Sequence, residues 1–436
     1  PANDQTRPAL GTVVPHEGGP GYSTTGTADS YAAMYGALLE RRNLLLVDQR
    51  GTGLTAPIDC PALQDGLLEY GRAAAACAKS LGGRAHLYGS ALSADDLGAV
   101  VVALGLGRVD VYGDSYGTFF AQVFAGRHPE QVRTLVLDSA YPTYGEDAWY
   151  ETQSLAMRQS FNRVCTRTAA CRALGYTTTA RLTALVEDVR ARPIVGRARG
   201  GDGKLHSRTL DAPAMVYLAF NATYGPATYR ELDAAIRAWF WYRDRAPLLR
   251  LLAEAYYPGG GTSDPVDYSE GLYAAVSCSD YPQLYDLRDP VATRRQQYAA
   301  AIRERITRRP TTYAPFTVRE YLASDWQSQS MCLTWPAAPA PYRQGPVVPP
   351  GGRYPAVPVL VLAGELDSIT TPAEGAIVAR QWPRSQRVVV ANSFHVTALG
   401  DTDGCAARIL RSFVSAGRLP GVSGTGCASA VPPSTT

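Results

Sequence analysis

The sequence predicts an α/β fold, a doubly wound parallel sheet interrupted by a long, mainly helical insertion. Short apolar runs rich in Val and Leu recur along the chain, and each is followed by Gly-rich punctuation and then by a helical pattern. Between about Tyr141 and Arg353 such runs disappear and helical stretches take over. Early in the chain the runs are Gly11–Val14, Leu44–Val47, Val109–Tyr112 and Thr134–Leu137. Val357–Leu362 and Val388–Val390 come after the break.

Between the second and third runs, Ser93–Gly105 reads as an amphipathic helix. Ser93 serves as N-cap and Asp95 and Asp96 occupy the first turn, where negative charge suits the helix dipole. Thr118–Arg127 reads as the helix leaving a tight turn after the third run. Inside the insertion, Ala180–Arg190, Tyr229–Trp241 and Val291–Thr307 read as helices, while Gly196–Lys204, Tyr257–Thr262 and the Pro-rich Pro336–Pro355 read as loops or linkers. This divides the chain into a first core part (1–140), the insertion (141–353), a second core part (354–416) and a Ser/Gly/Pro-rich tail (417–436), which frays unless Cys427 ties it to Cys405.

The 436 residues are 46% hydrophobic and 19% charged, the balance of a folded globular protein. A net charge of +3 leaves no field to hold a polyanion, so nucleic acid is not an expected partner. Nor is a membrane, because no window reaches the ~18 apolar residues of a spanning helix. Lys79 and Lys204 are the only lysines among 42 basic residues, a bias expected of a GC-rich, actinobacterial genome. The eight cysteines fall in close couples, Cys60/Cys77, Cys165/Cys171, Cys278/Cys332 and Cys405/Cys427, which points to disulfides and an exported protein. No couple has C-x-x-C spacing and no H-E-x-x-H occurs, so neither a metal nor another cofactor is expected.

Gly113-Asp114-Ser115-Tyr116-Gly117 follows directly on a predicted strand and precedes a helix. In that context G-x-S-x-G is a nucleophile elbow: a strained turn lifts the serine hydroxyl to the top of the sheet, and side chains in place of the glycines would clash with neighbouring backbone. Ser115 is the candidate nucleophile. A hydroxyl needs a base, and the chain has five histidines. His128 ends the helix after Ser115, and His86 and His206 lie in polar surroundings. His395 follows the last strand, the place of the third member of a Ser…Asp…His order. For the orienting acid, Val357–Leu362 runs into Ala363-Gly364-Glu365-Leu366-Asp367, with Asp367 favoured over Glu365, Asp401 and Asp403. The Tyr116 N–H should be one oxyanion donor, and the loop His16-Glu17-Gly18-Gly19-Pro20-Gly21 should supply the second. A rival motif, Gly51 to Ala56, matches a dinucleotide loop, but Pro57 and Cys60 interrupt the helix that would receive a pyrophosphate.

The elbow, the Gly-Gly-Pro-Gly loop, Asp48-Gln49-Arg50-Gly51-Thr52-Gly53 and the late Asp and His together resemble the α/β-hydrolase peptidases of the proline iminopeptidase and tripeptidyl aminopeptidase group. The resemblance implies Ser115 as nucleophile, Asp367 as acid, His395 as base and Gly19 and Tyr116 as oxyanion donors, with the insertion as a cap. It implies a substrate that is a short peptide with a free N-terminus, held through its ammonium by acidic cap residues. Ser277-Cys278-Ser279-Asp280-Tyr281 resembles a Cys-x-Asp segment of the tripeptidyl aminopeptidase branch, which makes Asp280 the candidate acid and Glu270 the fallback. The chain departs from the group in two ways. Glu17 separates His16 from the Gly-Gly-Pro-Gly loop and puts an extra carboxylate near the site mouth, a further candidate for an amine. Fifteen residues precede His16, where the group carries strands, so a first hairpin is expected to be missing. Cap aromatics such as Trp239, Trp241, Trp326 and Tyr273 are candidates for pocket lining. The expected function is a secreted aminopeptidase. The alternatives are an esterase or amidase acting on small molecules with the same machinery, and an idle binding protein on the same fold.

Overall fold

The computed structural model describes residues 1–66, 69–259, 264–338, 345–419 and 427–428. Six strands form one sheet: β1 (Thr12–His16), β2 (Asn43–Leu44), β3 (Val109–Asp114), β4 (Val132–Asp138), β7 (Val359–Gly364) and β8 (Ser385–Val390). Their order is β2-β1-β3-β4-β7-β8, and every neighbouring pair is parallel. Alternate residues of each strand point to opposite faces, so a strand buried on both sides is largely apolar and a buried acid in it needs a partner, as Asp110 of β3 has in Arg42 at 2.8 Å. Val13, Tyr112, Val136 and Leu360 pack under the helices Ala28–Tyr35 and Cys405–Ala416. Val14, Val111, Leu135 and Val361 pack on the other face, against Ser90–Ala103, Tyr116–Arg127 and Pro372–Gln381. That two-sided cover is the doubly wound arrangement.

The helix expected over Ser93–Gly105 begins a turn earlier, at Ser90, with Gly89 as its N-cap. Ser93 instead lies inside the helix, its hydroxyl returning to the Gly89 carbonyl. The helix can start at Ser90 because the Ser90 N–H donates to a carboxylate of Asp280, 190 residues away, at 2.7 Å. No local pattern carries that signal.

The insertion builds a second core from Trp149, Phe161, Leu185, Phe220, Leu252 and their neighbours. It also holds an antiparallel hairpin, β5 (Ile194–Arg199) and β6 (Leu205–Leu210), across the segment expected to be a loop. The hairpin was hidden because its strands are half exposed, so Arg, Ser and Thr stand where a buried strand would carry Val and Leu. The helix Glu270–Asp280 leaves the insertion's core altogether. Leu272, Ala275 and Val276 pack into the main core beside Ile58, Ala74 and Leu81. Parts of the Tyr257–Thr262, Pro336–Pro355 and 417–436 segments lie outside the described residues.

All four cysteine couples are disulfides: Cys60–Cys77, Cys165–Cys171, Cys278–Cys332 and Cys405–Cys427. The third joins the Glu270–Asp280 helix to a segment 54 residues further on. A loop of that length should lose about 4 kcal/mol of unfolding free energy when opened. Replacing Cys278 and Cys332 by Ser together is expected to lower stability by that order in a guanidinium titration, with a smaller loss for the Cys165/Cys171 pair, whose separation is 6.

Candidate active site

Ser115 sits between β3 and the helix Tyr116–Arg127 with φ 51° and ψ −123°, a left-handed conformation that is strained for a side-chain-bearing residue. The elbow is so tight that a Cβ on Gly113 would lie 2.1 Å from the Gly117 carbonyl oxygen, and one on Gly117 would lie 2.1 Å from that of His16. The Ser115 N–H donates to the Asp138 carbonyl at 3.0 Å, which fixes the turn to the end of β4.

The histidine loop is fixed to the same strand end. The Val396 N–H donates to Ser139 Oγ at 2.8 Å. The Asp138 carboxylate accepts the Thr397 N–H at 2.9 Å, the Thr397 hydroxyl at 2.8 Å and the Ala398 N–H at 2.7 Å, with Tyr112 as a fourth donor at 3.0 Å. Two segments nearly three hundred residues apart therefore share one anchor of adjacent residues.

His395 Nδ1 lies 2.9 Å from Asp367 Oδ2. Asp367 is fully buried and accepts N–H bonds from Ile369 and Thr370 and a hydroxyl bond from Thr370. Burial by itself raises its pKa, but the imidazole and these donors outweigh that and hold it below the usual carboxylate value. Glu365 is ion-paired with Arg167 at 2.7 Å and braces the Asn392 N–H, so its position serves the loop rather than the imidazole. The other histidines are occupied elsewhere: His128 pairs with Asp95 at 2.9 Å, His206 with Asp202 at 3.0 Å, and His16 is buried against Phe120, its pKa lowered to about 4 by burial.

The Tyr116 N–H begins a helix, where the first amides have no intrahelical acceptor, and Tyr116 lines the cavity above Ser115. Its ring is held from behind by the Ser90 hydroxyl at 2.9 Å and Gln49 Oε1 at 3.1 Å. Gly19, with φ 110°, lines the same cavity. The segment considered as a dinucleotide loop buttresses it. Asp48 gathers donors from Ser23, Thr25 and Leu54, and the Thr52 hydroxyl donates to the Gly21 carbonyl at 2.7 Å. A Cβ on Gly53 would meet the Asp48 carboxylate at 2.1 Å, so this glycine makes room for a side chain and not for a phosphate.

The cavity measures about 380 Å³. Ten tyrosines line it, together with Trp326, Glu270 and Asp325, and no basic side chain is among the described lining residues. Tyr273 and Trp326 line it as expected. Trp241 does not, being 58% exposed, and Trp239 turns its indole N–H to Asp188 at 2.7 Å. The two principal acid candidates exchange places. Asp280 is spent on the Ser90 amide and is absent from the lining, whereas Glu270, the fallback, faces the cavity with Tyr70 donating to it at 2.9 Å. Burial raises the Glu270 pKa, partly offset by that hydroxyl. Glu17 turns inward, where the Tyr31 hydroxyl meets it at 2.8 Å. Asp138 was not foreseen, and of the ten lining tyrosines the sequence singles out only Tyr273 for the cavity. For Asp138 the signal was available: an acid closing the apolar stretch Leu135–Leu137 directly before Ser139.

Residues 11–168 match the family described as the alpha/beta hydrolase fold, and residues 319–427 match the family described as TAP-like protein. The chain has the α/β-hydrolase fold. Its C-terminal match supports a likeness, within that fold, to the tripeptidyl aminopeptidase group. Among curated proteins nothing matches it. Similar solved structures include a thermophilic esterase from Thermogutta terrifontis (16% identity, 94% of this chain and 92% of that one, TM-score 0.39). Proline iminopeptidase of Mycobacterium smegmatis is another (17%, 94% and 92%, TM-score 0.36). So is the enol-lactonase from Burkholderia xenovorans (14%, 95% and 94%, TM-score 0.40).

Removing the anchor should loosen the histidine loop. In Asp138→Asn one acceptor oxygen is replaced by a donor, which leaves a buried N–H facing N–H groups, at a cost of about 1–3 kcal/mol. Amide hydrogen exchange at Thr397 and Ala398 is expected to accelerate at least tenfold, while exchange in β3 stays close to that of the parent protein.

Proposed function

We propose that the protein is an exported serine hydrolase that cleaves peptides near a free N-terminus through an acyl-enzyme. The observation that carries the reading is the His395–Asp367 pair, anchored with Ser115 on the end of β4. In the proposed reaction His395 Nε2 takes the Ser115 proton as Oγ attacks the scissile carbonyl, and Asp367 on Nδ1 fixes that tautomer and meets the imidazolium that forms. The oxyanion is met by the Gly19 and Tyr116 N–H groups, each worth about 3 kcal/mol of barrier in a dry site. The imidazolium then protonates the leaving amine, and water repeats the sequence on the ester to release the acyl part and restore Ser115.

Glu270 supports a free N-terminus as the recognised group. A half-buried carboxylate and phenol rings, with no cation among the described lining residues, together favour an ammonium over a blocked amide. The four disulfides support export, since such bonds persist in oxidising compartments. No helix among the described residues is long and apolar enough to cross a membrane.

A panel of free and N-acetylated peptidyl-aminocoumarins beside short-chain nitrophenyl esters tests the reading. Free peptides should be cleaved at least tenfold faster than acetylated ones, and Ser115→Ala should abolish turnover and fluorophosphonate labelling. Turnover of esters alone would instead favour a small-molecule esterase, and no turnover or labelling would favour a binding protein.

Glu270→Gln should raise KM for free peptides roughly tenfold and leave ester turnover nearly unchanged. The pH dependence follows from the raised Glu270 pKa. As pH falls through that value the carboxylate is neutralised and the ammonium loses its partner, so KM for free peptides should rise on the acid side at a pH above the ordinary carboxylate range. In Glu270→Gln this rise should vanish.

A further inference from the structure

Beyond His16 the loop that carries Gly19 leaves the sheet and meets the insertion at the bridge between Tyr22 and Tyr268, and it is pressed hard onto the elbow. A Cβ on Gly18 would lie 2.8 Å from the Ser115 Cβ and 3.3 Å from Asp114 Oδ2. The residue before it, Glu17, and the residue before the nucleophile, Asp114, both meet one hydroxyl. Tyr31 Oη lies 2.8 Å from Glu17 Oε2 and 2.9 Å from Asp114 Oδ1. A hydroxyl carries one proton and can donate to only one of them. Tyr31 is fully buried and Asp114 is 2% exposed, so bulk water does not reach Asp114, while Glu17 is half-buried at the outer end of the pair.

We propose that Glu17 and Asp114 share one proton and, with Tyr31, latch the oxyanion loop onto the nucleophile elbow, making both carboxyls positioning residues for the reaction proposed above, on whose reading this rests. The groups that face the pair from the surrounding elements are Tyr112 on β3, Asp138 at the end of β4, Tyr35 on the helix Ala28–Tyr35 and Tyr22 in the loop itself. These are phenols and a carboxyl, with no cation among the described residues at the pair. Asp138 has four donors of its own to meet its charge, whereas Glu17 and Asp114 have the Tyr31 hydroxyl between them and a 3.3 Å contact from the Gly18 N–H. Burial, and next the Glu17 charge, push Asp114 well above the usual carboxylate range. With one proton the pair carries a single negative charge and holds together. Removing that proton sets two carboxylates face to face, and their repulsion pushes the loop that positions Gly19 off the elbow.

Glu17→Gln tests this directly, because the amide mimics Glu17 in its protonated form and keeps the pair at one negative charge at every pH. Glu17→Ala removes the latch, with a thermal melt to verify folding. In ester hydrolysis and in fluorophosphonate labelling, Glu17→Ala should lose kcat by roughly ten- to a hundredfold with little change in KM. Glu17→Gln should recover most of that and lose the alkaline fall in kcat expected of the parent protein as the shared proton leaves, at a pH above the usual carboxylate range. A second readout does not depend on turnover. In infrared difference spectra at neutral pH, parent against Glu17→Gln and parent against Asp114→Asn, the parent protein should show a protonated carboxylic acid band that each variant loses, the contribution of buried Glu374 cancelling. Equal activity in Glu17→Ala and the parent protein, equal loss in the Ala and Gln variants, an unchanged alkaline limb in Glu17→Gln, or the lack of that band would each overturn the latch. Should the parent protein hydrolyse nothing, the hydrolase reading fails and the infrared band still decides whether the proton is shared.

Discussion

One buried carboxylate organises the site. Asp138 closes β4, and its backbone carbonyl holds the Ser115 amide while its side chain collects the histidine loop. Neither partner segment could supply this by itself. The elbow is strained, and residues in such a conformation persist only where neighbours over-determine them. The loop after β8 is irregular backbone whose amides would otherwise be buried without acceptors. Burial raises the pKa of Asp138, and the donors from Thr397, Ala398 and Tyr112 act against that rise, so anchoring the loop and accommodating the acid are one set of bonds.

A second layer of support surrounds this anchor and reaches across the sequence. Asp280 caps the helix that begins at Ser90, Ser90 holds the Tyr116 hydroxyl, and Tyr116 presents its amide at the elbow. Thr52 holds the carbonyl of Gly21, and Asp48 folds the turn that carries Thr52. Residues that look like candidates for substrate or cofactor contact are thus employed in placing backbone amides. Charged groups near a site are used for position as readily as for binding, and geometry separates the two uses.

Much of the core was legible because its signals are local. Apolar runs such as Val109–Tyr112 are what a strand covered on both faces requires, and Gly113 and Gly117 are spaced as the tight elbow demands. The Asp367 and His395 positions followed from chain order at strand ends. What escaped was set by contacts distant in sequence or by exposure. The hairpin Ile194–Arg199 and Leu205–Leu210 carries no apolar run because half of each strand faces water. The assignment of Asp280 to Ser90 and of Glu270 to the cavity depends on how one helix lies across the main core. Apart from Tyr273 the tyrosine lining was not legible, since its members come from segments scattered from Tyr70 to Tyr321.

The way the Glu270–Asp280 helix packs has a mechanical corollary. Although it arises within the inserted segment, it is bedded in the main core beside Ile58 and Leu81 and stapled at Cys278. Its first residue therefore stays at a fixed span from the elbow however the rest of the insertion breathes. In the proposed reaction the molecule works as a calliper with locked jaws: the number of residues between the gripped amine and the bond that breaks is set by rigid spacing, and not by how far a lid swings shut.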